Sequence, residues 1–287
     1  MSRIAYVNGR YVPHAQAAVH IEDRGYQFAD GVYEVCEIWG GKIVDAPRHL
    51  DRLDRSLREL RIRQPMARAA LLFVLKQVAR RNLVRNGLVY LQVTRGVARR
   101  DHVFPAADVP PTVVVTAKST NPAAGDAQAE AGIAVVSYTE NRWPRVDIKT
   151  VALLPNVLAK QYARENGAKE AWYVDDNGFV TEGGSTNAWI VTRDGVLVTR
   201  PAETGILRGV TRSVVLDLVV REGLAFEERP FSLEEAKTAR EAFVTAASTL
   251  VMPVVRIDDT PVGNGHPGSV AGQLRRAFHT ASHLEDI

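Results

Sequence analysis

Val180-Thr181-Glu182-Gly183-Gly184-Ser185-Thr186-Asn187 and, after two short strand patterns, Gly205-Ile206-Leu207-Arg208-Gly209-Val210-Thr211-Arg212 are the stretches that decide the fold. Asp176-Asn177-Gly178 precedes the first and is a tight hairpin turn, since Asn and Gly accept positive φ. Phe179–Glu182 then alternates as a strand, placing Val180 and Glu182 on one face. If that face is the core, Glu182 is a buried carboxylate that requires a cation or hydrogen-bond donors; otherwise it is a strand-end glutamate emerging into water. The second stretch opens a helix over Thr211–Glu222, closed by Gly223. Its first-turn N–H groups and the Thr211 hydroxyl suit a phosphate, although a plain threonine N-cap would explain the same residues.

Working outward, Ala188–Thr192 and Val196–Thr199 form a hairpin through Asp194-Gly195, and Gly132–Thr139 and Glu170–Val174 are further strands. Pro155–Asn166 is helical and closed by Gly167. Ser232 and Glu235 form a capping box. Upstream, Ile4–Asn8, Val32–Trp39, Leu88–Thr94 and Thr112–Ala117 are strands, with hairpin turns at Asn8-Gly9 and Gly40-Gly41. Leu50, Leu53, Leu57 and Leu60 recur at helical spacing, and a second helix covers Ala67 to Asn82. The proline and small-residue stretch Lys118 to Asp126 has linker character, giving domains at 1–118 and 127–287 with a linker at 119–126. Strands come in hairpin-joined runs rather than β-α-β alternation, so the class is α+β.

The 287 residues carry 36 basic and 33 acidic side chains, and only 7 of the basic ones are lysine. The arginines alternate with acids, as over Arg48 to Arg63, which describes a solvated mixed face rather than a nucleic-acid surface. The longest apolar run, Ala69 to Leu75, falls far short of the roughly 20 residues of a membrane span. The N-terminus lacks an apolar signal segment. Cys36 is the sole cysteine, which fits a reducing cytoplasm, and in an alternating strand it packs as a small hydrophobe. Gly263-Asn264-Gly265-His266-Pro267-Gly268 matches a dinucleotide fingerprint, but Pro267 inside it and the short remaining chain make it a turn. His279 and His283 share a helical spacing without an intervening glutamate and are read as surface residues, so no metal site is expected.

Lysine is scarce, so Lys149 between Ile148 and Val151 stands out. It either snorkels from a strand end or sits in an apolar pocket, where a depressed pKa suits Schiff-base chemistry. Lys149, Glu182 and the Val210–Thr211 helix start supply a Schiff-base amine, an acid for a pyridinium and a phosphate cradle, the three handles of pyridoxal 5′-phosphate.

With these residues in place the chain resembles the fold-type IV, class IV aminotransferases, and among them the D-amino acid aminotransferases. The likeness runs from Glu182 through Asn187 and Leu197-Val198-Thr199 to Leu207-Arg208-Gly209-Val210-Thr211-Arg212. It extends to Glu22-Asp23-Arg24-Gly25-Tyr26-Gln27-Phe28, Asp30-Gly31-Val32-Tyr33-Glu34-Val35 and Asp147-Ile148-Lys149. Trp189 stands where Phe or Tyr is usual. The resemblance implies a smaller N-terminal α/β domain and a larger C-terminal β-barrel-like domain with helices. It implies Lys149 as the catalytic lysine, Glu182 at the pyridine nitrogen and Leu207 behind the ring. Arg52, Val210 and Thr211 fall to the phosphate, although the helical wheel alone places Arg52 among solvated arginines. Ala246 and Ala247 stand where hydroxyls are expected, so the Ala247–Ser248 backbone and the Ser248 hydroxyl complete the phosphate site. Thr94 to His102 resembles the substrate loop of the D-amino acid enzymes, so Tyr33, Arg100 and His102 are expected to hold the α-carboxylate. In those relatives the arginine and histidine come from a second subunit, which implies a homodimer with shared sites. The implied reaction is ping-pong transamination of D-alanine, D-glutamate or D-aspartate with 2-oxo acids. Branched-chain and (R)-selective amine aminotransferases and aminodeoxychorismate lyases share the fold and remain the alternatives.

Overall fold

The structure, a computed structural model, describes residues 3–203 and 205–287, and its contacts divide the chain into two units. The first comprises the chain up to Asn121 with Ile148–Ala152 and His283–Ile287; the second comprises Pro122–Asp147 and Leu153–Ser282. The first unit contains β1 (Ile4–Val7), β2 (Arg10–Pro13), α1 (Arg24–Phe28), β3 (Gly31–Trp39), β4 (Lys42–Val44), α2 (Ala46–Glu59), α3 (Arg68–Arg81), β5 (Gly87–Thr94) and β6 (Thr112–Ser119). The second continues with α4 (Pro122–Ala131), β7 (Ile133–Thr139), α5 (Leu154–Glu165), β8 (Glu170–Val174), β9 (Val180–Gly183), β10 (Asn187–Val191), β11 (Leu197–Thr199) and α6 (Val210–Arg221). Then follow β12 (Phe226–Glu228), α7 (Leu233–Lys237), β13 (Glu241–Ala246), β14 (Leu250–Ile257), β15 (Thr260–Pro261) and α8 (Ser269–Ala281), and β16 (Leu284–Asp286) returns to the first sheet.

The division falls inside the stretch expected as a linker, yet β6 extends to Ser119 and α4 starts at Pro122. Proline is tolerated in a helix's first turn, and the alanines that follow are strong helix formers. A composition typical of linkers is here a helix start. Residues 148–152 and 283–287, expected with the C-terminal domain, join the first unit because each bonds to its sheet. Val32 bridges Thr150, and β16 pairs with β4.

Among the described residues the first sheet has seven strands in the order β16-β4-β3-β5-β6-β1-β2, every pair antiparallel. This unit, with its antiparallel sheet and the helices α2 and α3, is α+β, the class read from the hairpin-joined strands. Both expected hairpin turns form, with φ of 45° and 91° at Asn8-Gly9 and 59° and 82° at Gly40-Gly41, the mirror-image geometry that matches strand twist. Along β3, Glu34, Cys36 and Ile38 are buried while Tyr33, Val35 and Glu37 are half-buried. The buried row packs with Leu50, Leu53 and Leu57 of α2 and Leu71, Leu75 and Val78 of α3. Cys36 is a core residue, and burial pushes its thiol pKa far up, so it is no nucleophile.

Among the described residues the second sheet has nine strands, ordered β12-β11-β10-β13-β14-β7-β8-β9 with β15 beside β14. β9 and β10 lie five places apart in that order, about 24 Å in a flat sheet, yet residues 184–186 alone connect them, reaching about 14 Å at most. The sheet must therefore curl on itself, which is the barrel-like domain. The burial agrees: β9, β10 and β11 are buried at every residue. Trp172 and Phe231 fill one cluster. Trp189 and Phe243 stack 5.5 Å apart in another, with Val215 and Leu218 of α6 and Leu274 of α8.

Gly263 and Gly265 have positive φ in a turn. The α8 N-terminus just beyond it is filled by the chain's own Glu241, whose carboxylate accepts from Val270 and Ala271 N–H at 3.1 Å. The dinucleotide pattern is thus a turn. His279 lies in the last turn of α8, but His283 is past the helix end, held by the Asp45 carboxylate in the first unit, so the two do not share a helix face. Among the described residues no helix is long and apolar enough to cross a membrane, and no group of three His, Cys, Asp or Glu side chains is placed to hold a metal.

Candidate active site

Lys149 is held by backbone. Its carbonyl accepts from Tyr33 N–H at 3.0 Å, and Val151 N–H donates to Gly31 at 3.0 Å, so the segment runs along β3. Its neighbour Ile148 is in the first unit's core, and the half-buried Lys149 places Nζ 4.2 Å from the Tyr33 ring centroid. This is the apolar, aromatic setting that separates it from Lys160, whose Nζ is occupied by the Lys169 carbonyl at 2.9 Å and Glu170 at 3.2 Å.

The buried row of β3 brings Glu34 into the core, where a carboxylate must be matched. Arg52 of α2 forks onto it, Nε to Oε1 at 2.8 Å and Nη2 to Oε2 at 2.7 Å, and His49 Nδ1 lies 2.7 Å from Oε2. Burial alone would raise the Glu34 pKa, but the Arg52 charge and the hydrogen bonds bring it down to about 2. The helical wheel places Arg52 in solvent; the structure leaves its side chain only 11% exposed. A buried acid opposite the polar edge of α2 draws it in, and the in-phase burial of Glu34 with Cys36 and Ile38 was the available signal.

Glu182 and Val180 do share a buried face, as alternation requires, and the neighbouring Thr181 and Gly183 are buried too. The required cation is Arg142, whose Nη1 donates to Oε1 at 2.6 Å. Glu140 accepts from Arg142 Nε and Nη2 at 2.8 and 2.6 Å, and the guanidinium lies over the Tyr173 ring. The second oxygen, Oε2, accepts from Asn187 Nδ2 and Leu207 N–H, each at 3.0 Å. Burial pushes the Glu182 pKa above its ordinary value, while Arg142 and the Leu207 N–H oppose the shift.

Asn187 explains the spacing of the quoted motif. Its Nδ2 also donates to the Leu207 carbonyl at 2.8 Å, and its Oδ1 lies 2.0 Å from where a Cβ on Gly209 would be. Strand β9, the Leu207 loop and the start of α6 are thereby one hydrogen-bonded unit, and Gly209 must be glycine for Asn187 to approach. Gly209, not Thr211, is the N-cap residue of α6, and among the described residues no side-chain cap hydrogen bond is made there. Val210 and Thr211 are buried in the uncapped first turn, where N–H groups lack intrahelical partners. Arg212, also buried, anchors that turn to the Arg200 carbonyl at 2.9 Å and to Glu228.

Ala247 and Ser248 form the β13–β14 turn, closed by Thr249 N–H to the Ala246 carbonyl at 3.2 Å; Ala247 is half-buried and Ser248 exposed. The same turn contains a hydroxyl that the motif does not disclose: Thr249 Oγ1 is buried without a hydrogen-bond partner among the described residues. It stands two residues after Ala247, where the missing hydroxyls were expected.

Tyr33 stacks on Tyr90 with ring centroids 5.7 Å apart. Arg100 and His102 lie elsewhere, both exposed and both on the Phe28 ring, at 5.1 and 5.5 Å from its centroid. Within one chain, no hydrogen bond or ring contact among the described residues joins either to Tyr33.

These donor sets fit pyridoxal 5′-phosphate in kind: a lysine on an aromatic ring, a buried carboxyl of raised pKa, an uncapped helix start, an orphaned hydroxyl and an oriented guanidinium. Comparison with known proteins agrees. The family profile "Amino-transferase class IV" matches residues 31–257. The chain is 38% identical to a D-alanine aminotransferase of Staphylococcus haemolyticus over 275 residues, 96% of each chain. It is 39% identical to the D-alanine aminotransferase of Bacillus licheniformis, covering 96% of this chain and 95% of the relative. The structure superposes on the T.th. branched-chain amino acid aminotransferase with pyridoxamine 5′-phosphate at a TM-score of 0.90 and 26% identity, covering 97% of this chain and 93% of that one. Fold, site and kinship over the whole length lead to one conclusion: this chain belongs to the class IV aminotransferases.

Proposed function

We propose that the protein is a pyridoxal-phosphate enzyme that moves an amino group between D-amino acids and 2-oxo acids. The observation that carries the cofactor assignment is the Asn187 tie, which joins a buried carboxyl to an uncapped helix start in one hydrogen-bonded unit. Glu182 meets the pyridine nitrogen there. Val210, Thr211 and the Ala247–Ser248 turn take the phosphate, Leu207 backs the ring, and Arg52 adds charge, aimed by Glu34. Bound to these residues, the cofactor supplies an electron sink for the substrate Cα–H bond. Lys149 Nζ would be the amine that holds the cofactor and the base that moves the substrate Cα proton.

The D-series assignment rests on the full-length kinship to D-alanine aminotransferases. The branched-chain alternative has a structural neighbour at lower identity. Tyr33, Arg100 and His102 bind the substrate carboxylate, and because the latter two do not meet Tyr33 within one chain, a second copy supplies them. The working form is a homodimer, with its single buried Cys36 suited to a reducing cytoplasm. The test is Arg100→Ala assayed with D-alanine and with (R)-1-phenylethylamine, which has no carboxylate. A charged hydrogen bond contributes about 1.5–3 kcal/mol, so kcat/KM for D-alanine should fall about 10- to 150-fold and that for the amine much less. Equal losses for both would remove the carboxylate role.

A further inference from the structure

The loop from Gly96 to Pro110 carries Arg100 and His102, and it is exposed over most of its length. Exposed loops are mobile by default, yet this one is fastened to a buried ionic cluster that the chemistry above does not use. Asp30 accepts from Arg95 through Nε at 2.7 Å and Nη2 at 2.9 Å, and from Arg24 Nε at 2.8 Å. Arg24 and Arg95 are both buried. Each guanidinium has further work. Arg95 donates to the Leu60 and Arg61 carbonyls at 2.7 and 2.9 Å and lies 3.7 Å from the Phe104 ring centroid, farther along the loop. Arg24 Nη1 donates to the Asp101 carbonyl at 2.6 Å, so the residue between Arg100 and His102 is tied by its backbone to the cluster. Arg24 also lies over Phe28, the ring that Arg100 and His102 contact as well. The loop's origin is equally fixed: Gly96 has φ +102°, and a Cβ there would fall 2.1 Å from the Pro110 carbonyl oxygen.

We propose that Asp30, Arg24 and Phe28 are positioning residues for substrate selection: the Arg24–Asp30–Arg95 cluster fixes the loop backbone, and Phe28 is the shelf that holds the Arg100 and His102 side chains ready for a carboxylate. None of the three touches substrate; they act through Arg100 and His102. The inference rests on the carboxylate role proposed for that pair, so Arg100→Ala accompanies the test as its control.

The experiment compares the holoenzyme with Phe28→Leu, Phe28→Trp and Asp30→Asn, using D-alanine and (R)-1-phenylethylamine. The two cation–ring contacts of Phe28, with Arg24 and Arg100, correspond to about a five- to thirtyfold effect. Phe28→Leu should raise KM for D-alanine by about that factor, with kcat and the amine reaction changed by less than about twofold. Phe28→Trp, which keeps a ring for the cation, should retain wild-type KM. Asp30→Asn should raise the same KM and speed amide hydrogen exchange over residues 97–104, while the cofactor's visible absorption is unchanged. The inference is overturned if Phe28→Leu leaves KM for D-alanine unaltered, if it impairs both substrates equally, or if Asp30→Asn loosens the loop without raising KM. Should Asp30→Asn fail to fold, the Phe28 pair decides alone. If Arg100→Ala itself treats both substrates alike, the carboxylate role fails and this inference falls with it; if Arg100→Ala separates them and Phe28→Leu does not, the positioning role alone is wrong.

Discussion

At the scale of single residues, three charged groups are defined by what burial forces on them. Lys149 has an aromatic face beside it, whereas Lys160 is occupied by Glu170 and a carbonyl. Borohydride reduction of the holoenzyme should therefore fix the cofactor on Lys149 alone, and Lys149→Ala should retain the fold and lose turnover; a label mapped to Lys160 would refute the assignment. Glu182→Gln keeps the shape and removes the charge, so kcat should drop by roughly 10²–10³, the usual cost of deleting one charge-stabilising group, as read by single-turnover kinetics. Glu34 gives a stability prediction. Its folded pKa of about 2 lies below the ordinary value of about 4.3, so its ionised form stabilises the fold above that value, and the contribution is lost as pH falls toward 2. His49 is also depressed, chiefly by burial, and acts in the same direction from nearer pH 6.5. Glu34→Gln should cost about 3–5 kcal/mol at pH 7, as loss of one partner from a buried pair does, with the gap to wild type narrowing toward pH 3 in thermal melts. A gap independent of pH would mean that Glu34 is not ionised in the fold.

At the scale of elements, the strand, turn and most helix limits were legible because alternation, Asn-Gly turns and closing glycines each have a local cause. The buried partnership of Val180 and Glu182 followed from period-2 spacing, and the demand for a cation followed from burial. Its identity did not, since Arg142 is 40 residues away in sequence and reaches Glu182 only because β7, which it follows, and β9 flank the same strand β8. Arg52 was legible only through resemblance, because a helical wheel omits the acid on the facing strand. Composition does not disclose the helix at Pro122, since proline and alanine serve linkers and helix starts alike. At this scale the crucial join is Asn187 against Gly209. Gly209→Ala places a methyl 2.0 Å from Asn187 Oδ1, an overpacking that costs about 1–3 kcal/mol. It should weaken cofactor retention on dialysis more than it lowers the melting temperature of the cofactor-free protein. Unchanged retention would mean that the tie does not shape the phosphate cradle.

At the scale of the whole molecule, the first unit contains Lys149, Tyr33, Arg52 and the Gly96–Pro110 loop, and the second contains Glu182, the α6 start and the β13–β14 turn. Fold alone does not set substrate, and the class IV fold is shared with enzymes of the branched-chain series, as the structural match illustrates. Handedness is therefore the property on which the functional account stands or falls. The most direct measurement is the visible spectrum of the purified holoenzyme mixed, without a 2-oxo acid, with D-alanine and separately with L-alanine. The account expects D-alanine to bleach the cofactor band with one pyruvate released per site and L-alanine to leave it unchanged. Bleaching by L-alanine with D-alanine inert, or no visible band at all, would contradict it.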